Sequence, residues 1–265
     1  MLPRRTNWAR AWPLTTFYLL AFSLAWLGCL PVLAGTYGVA AFQHPAWLGA
    51  LLLMALGPTL AAGLTLRWQG EPTAGRLAAL LRWRMAPRWY ALALALPLVA
   101  LTATQLLSRW LIKATPVAHP ALRGGALVAF VLLSLAINPW EEIGWRGFAL
   151  PRLQARYSPL VAALLVGGLW GFWHLPLFLL STGPVAMASL PFGPWLLCSL
   201  ATSCLMSWLY NRAGGSLVVL SLYHIAQNGL GAAIGVRSYW LLLLVEASLA
   251  LLLWGKPPRK PTTRE

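Results

Sequence analysis

Asn138-Pro139-Trp140-Glu141-Glu142-Ile143-Gly144-Trp145-Arg146-Gly147 sets two adjacent carboxylates and a guanidinium at the end of a strongly apolar run. An ionised side chain at the centre of a bilayer costs from about 3 to more than 10 kcal/mol, so charges inside spans face the protein interior and mark function. The surrounding chain decides whether that cost applies. Of its 265 residues, 59% are hydrophobic and 9% are charged. A water-soluble domain of this size needs far more charge to cover its surface. The apolar residues recur in runs long enough to cross a bilayer, which takes about 20 residues at 1.5 Å each.

The expected fold is therefore all-α: a polytopic membrane helix bundle of about eight transmembrane helices with an interfacial amphipathic helix. The spans are expected near 12–33, 46–66, 89–107, 125–150, 159–180, 193–210, 215–236 and 239–254. Between the second and third, residues 75–84 interleave apolar and cationic side chains, as in a helix lying in the interface. The whole chain, 1–265, reads as one integral membrane domain, followed from about 256 by a basic, Pro-rich tail expected to be disordered. The first apolar run is too long for the h-region of a signal peptide. Cys29, Cys198 and Cys204 lie in apolar stretches without metal-ligand spacing and read as small core residues.

A net charge of +15 raises nucleic acid as a partner, but the cations form no continuous basic face and no nucleic-acid motif. They sort by topology instead. With the N-terminus inside, Arg109, Lys113, Arg123 and Arg237 are the outer cations, and apart from Arg146 every other cation lies on the cytoplasmic side. Both termini are expected in the cytoplasm of a prokaryotic cell membrane. The acids are Glu71, Glu141, Glu142, Glu246 and Glu265, with no aspartate.

Within a helix Glu142 and Arg146 stand four residues apart and share a face, while Glu141 is turned about 100° away. The simplest division of labour makes Glu142 and Arg146 a structural pair and leaves Glu141 reactive. The competing reading is a salt-bridged cap near the interface. Asn138-Pro139 would open or kink the helix and release backbone carbonyls. In the fifth span Trp170 lies one turn before His174, and Pro176 withholds a helical hydrogen bond. This histidine suits a base, a ligand or a hydrogen-bonded core residue. In the seventh span His224 and Asn228 share a face, and such a pair either aims two donors at one substrate oxygen or stitches helices together. Counted from the cytoplasmic helix ends, Glu141, His174, His224 and Asn228 fall at roughly 14 to 23 Å, a similar depth.

Taken in order, these motifs resemble the CAAX protease and bacteriocin-processing (CPBP, or Abi) intramembrane proteases, which include the type II CAAX prenyl endopeptidases. The family pattern is EExxxR, FxxxH, then HxxxN. Glu141-Glu142 with Arg146 matches the first and His224 with Asn228 the last, while Trp170 stands where phenylalanine is usual before His174. The resemblance covers about 125–236 and implies a catalytic core there. It implies an intramembrane endopeptidase acting on a membrane-associated, in some relatives prenylated, peptide. Glu141 and His174 would activate water, His224 and Asn228 would stabilise the oxyanion, and Glu142, Arg146 and Trp170 would give structural support.

Two alternatives stand beside it. Glu141, His174 and His224 would be the ligands if zinc were the cofactor, although no HExxH helix is present. A non-catalytic bacteriocin-immunity or membrane-partner protein is the alternative from another class. Glu246, in the eighth span, is expected to make an internal hydrogen bond or to stay protonated.

Overall fold

The computed structural model describes residues 8–71, 81–113, 122–181, 183 and 185–255. Eight long helices follow a short Trp8–Ala11 turn: α1 (Pro13–Thr36), α2 (Leu51–Gln69), α3 (Pro87–Leu111), α4 (Gly124–Glu142), α5 (Pro159–Trp173), α6 (Phe192–Arg212), α7 (Leu217–Ile234) and α8 (Tyr239–Trp254). Among the described residues there is no strand. Proline opens α1, α3 and α5, where its fixed φ fits the first turn and its missing N–H is no loss. Ser158, Ser216 and Ser238 cap α5, α7 and α8 by accepting from Val161, Val219 and Leu241 N–H.

Seven of these helices, with their flanking turns, are long and apolar enough to cross a membrane. The eighth expected span exists but is shorter: α8 has 16 residues, about 24 Å at 1.5 Å each against a hydrocarbon core of about 30 Å. The tail from 256 onward and residues 75–80 of the expected interfacial helix lie outside the described residues. Its remaining part, 81–84, forms no helix.

α1 packs on α2, α2 on α4, α4 on α7, α7 on α3, α3 on α8, α8 on α6 and α6 on α5. The chain thus closes around a centre walled by α3 to α8. Close approach depends on glycine where helices touch: a Cβ on Gly144 would lie 2.6 Å from the Pro58 carbonyl, and one on Gly167 would lie 2.7 Å from Ser203 Cβ. Cys29, Cys198 and Cys204 are buried and carry no disulfide.

Two local departures from α geometry set the positions of the central side chains. After Glu142 the helix widens into a π turn, Ile143–Ala149, before resuming as Leu150–Gln154. Pro139 upstream and Pro151 downstream each lack the N–H that a regular ladder would use. Thr59 of α2 donates to the Trp140 carbonyl just before this turn. At the end of α5, Pro176 forces the chain into a tighter 3₁₀ turn, Leu175–Leu179. His174 N–H then bonds the Gly171 carbonyl and leaves that of Trp170 without its α-helical donor.

Candidate active site

Glu142 and Arg146 are both fully buried, and the guanidinium meets both carboxylate oxygens at 3.1 Å. Arg146 also donates to Ser203 Oγ at 3.1 Å, and its guanidinium carbon lies 5.0 Å from the centre of the Trp170 ring. The remaining partner of Glu142 is His224, whose Nδ1 stands 2.8 Å from Oε1. The pair expected from spacing forms, and it also fixes a ring from α7.

Glu141 is buried, and its Oε2 accepts from Trp170 Nε1 at 3.0 Å. Phenylalanine could not make this bond, so the departure from the family's middle motif supplies a donor to the carboxylate. The carbonyl that Trp170 lost from the helix is taken by His174 Nδ1 at 2.8 Å. A carbonyl only accepts, so Nδ1 carries the proton and Nε2 keeps its lone pair. Trp195 and Trp173 pack edge-on against the same imidazole, at 5.1 and 4.7 Å between ring centres, and hold it in place.

Glu141, His174, His224 and Asn228 line one cavity of about 300 Å³. Further polar residues line it that the sequence did not mark as site residues, among them Asn138, Thr202 and Gln227. Asn138 is 3% exposed, its Nδ2 has no partner, and it lies one turn before Glu141 on the same wall. Thr202 and Gln227 line the cavity and donate to Glu246, at 2.7 and 2.8 Å. The expected internal hydrogen bond of Glu246 is thus present twice over. Spacing carried a signal for Asn138, which sits three residues before Glu141, whereas the partners of Glu246 come from other helices and left none.

Among the described residues no three His, Cys, Asp or Glu side chains are gathered closely enough to hold a metal ion. Glu141, His174 and His224 therefore do not form the three-ligand zinc site weighed from the sequence. Glu141 is bound to Trp170, and the two rings are turned to separate acceptors.

The cavity runs from Glu141 towards the end of the bundle where α4 and α8 begin, and its wall includes Phe130, Leu190, Val236 and Tyr239. The half beyond Glu141 is filled by fully buried side chains, among them Trp145, Leu150, Leu205, Leu209 and Tyr223.

Residues 123–230 match the family described as type II CAAX prenyl endopeptidase Rce1-like. A curated relative, CAAX prenyl protease 2 of Methanococcus maripaludis, is 31% identical over 105 residues, 38% of this chain and 38% of the relative. The chain thus matches well under half the length of that protein. The segment matched by the family contains Glu141, Glu142, Arg146, Trp170, His174, His224 and Asn228, so the similarity to the type II CAAX prenyl endopeptidase Rce1-like proteins takes in every one of these residues.

Proposed function

We propose that the chain is an intramembrane endopeptidase hydrolysing a peptide bond of a membrane-associated polypeptide. The observation that carries this reading is the convergence of Glu141, His174, His224 and Asn228 from three helices on one cavity. Glu141 takes a proton from water, His174 Nε2 holds that water as acceptor, and the resulting hydroxide attacks the scissile carbonyl carbon. The oxyanion accepts from His224 Nε2–H and the Asn228 amide, fixed donors in a site of low dielectric. As the tetrahedral intermediate collapses, the C–N bond breaks and the proton on Glu141 passes to the leaving amine.

His224 donates from Nε2 only as imidazolium, because its Nδ1 proton is committed to Glu142. With that charge Glu141, Glu142, Arg146 and His224 sum to zero, the balance a buried cluster requires. The unpartnered amide of Asn138 offers the substrate backbone a further donor. In this reading both termini are cytoplasmic and the protein sits in a prokaryotic cell membrane.

The test is incubation of purified protein with prenylated and transmembrane peptides, with mass spectrometry of the products. Cleavage by the parent and none by Glu141→Gln supports the reading. Equal cleavage by both, or none by the parent, overturns it.

A further inference from the structure

The two ends of the bundle differ in charge, and the contacts identify which loops share an end. Arg10 Nε donates to the Gln69 carbonyl, Arg152 pairs with Glu71 at 3.9 Å, and Ser216 donates to the Arg82 carbonyl. The start of α1, the end of α2, the approach to α3, the end of the α4 segment and the start of α7 therefore lie together. Arg10, Arg67, Arg82, Arg84, Arg88, Arg152, Arg156 and Arg212 all lie on these connections or beside them. At the other end Leu122 N–H bonds the Ala232 carbonyl, and Gln105 bonds the carbonyls of Ile234 and Gly235. Among the described residues that end holds only Arg109, Lys113, Arg123 and Arg237.

Loops rich in Lys and Arg stay in the cytoplasm, and here the loops are short enough for the rule to apply. The cavity leads away from that side. Phe130 lies six residues into α4, Val236 is in the α7–α8 turn, Tyr239 opens α8, and Val185 to Leu190 come from the loop after the 3₁₀ turn. Each of these places is at or near the cation-poor end, and the deepest point is Glu141.

We propose that this site takes its peptide from the extracytoplasmic side of the membrane. Its substrate class is a secreted or membrane-anchored polypeptide displayed there, with an apolar side chain to fill the wall of Phe130, Leu133 and Leu190, and not a C-terminal peptide presented from the cytoplasm. This rests on the endopeptidase reading for the chemistry, but the position of the opening stands apart from it.

The experiment has two arms. In the first, a membrane-impermeant maleimide is applied to intact cells and to inverted vesicles carrying Ala186→Cys, at the cavity wall, or Arg84→Cys, at the opposite end. The parent, with its three cysteines buried, is the control. Labelling of Ala186→Cys in intact cells, and of Arg84→Cys only in inverted vesicles, is expected. The reverse pattern, or labelling of both from one side, overturns the proposal.

In the second arm, the peptide best cleaved by purified protein is tethered to a single-span anchor, outside or inside the cell. Cleavage outside only, lost in Glu141→Gln, is expected, and cleavage inside only overturns the proposal. Expected labelling with neither tether cleaved leaves the opening where proposed and overturns the endopeptidase reading alone.

Discussion

At the scale of single residues, Glu141 and Glu142 are neighbours in sequence with separate tasks. Glu142 is saturated by Arg146 and His224, whereas Glu141 keeps one oxygen clear of the Trp170 bond. Glu141→Gln keeps an acceptor for the indole and removes only the base. Its turnover is expected to fall by about 10²–10⁴-fold with the melting temperature in detergent unchanged. Arg146→Met strands a buried carboxylate, and a loss of about 3–5 kcal/mol should appear as a large drop in that same melting temperature. Trp170→Phe keeps the ring under Arg146 but loses the donor to Glu141. A hydrogen bond to a charged group contributes about 1.5–3 kcal/mol, so kcat should fall about tenfold or more at an unchanged KM. An unchanged kcat would show that the indole N–H does not orient the base. How legible these residues were follows the distance between partners. The Glu142–Arg146 contact lies within one turn, and spacing alone foretold it. The Glu142–His224 bond joins residues 82 apart, and no local periodicity encodes it.

At the scale of elements, the eight apolar segments could be read within a few residues because burial in lipid demands continuous apolar runs closed by internal hydrogen bonds. Pro139 and Pro176 marked places where the helical ladder loses a donor, but not the turns that result, one wider and one tighter than 3.6 residues per turn. The π turn at Ile143–Ala149 and the 3₁₀ turn at Leu175–Leu179 arise from proline positions and from packing against α2 and α6, and neither leaves a hydrophobic period to detect. The first is testable at its tightest contact. Gly144→Val should collapse the folded yield in detergent, since its side chain would meet the backbone of Pro58. A variant that folds and melts as the parent does would mean that the wide turn does not need this close approach.

At the scale of the whole molecule, the cavity lies off-centre, and no residue pattern foretells that. Depths counted along the helices brought Glu141, His174, His224 and Asn228 to one level, but which side of that level is packed depends on side chains such as Trp145, Leu205 and Tyr223 meeting from four helices. The shortness of α8 adds a consequence of its own. A helix of about 24 Å in a hydrocarbon layer of about 30 Å obliges the bilayer to thin beside it or the helix to sink from one surface. Tyr239 and Leu242, which face the cavity, belong to that helix. The lipid is therefore expected to dip at the rim of the cavity, drawing headgroups and water down towards Tyr239 and shortening the path from the aqueous phase to Glu141. Turnover in nanodiscs should then fall as acyl chains lengthen, with the fold unchanged. The membrane itself would act as a mechanical part of the entrance, and its thickness would serve as a setting for how wide that entrance stands.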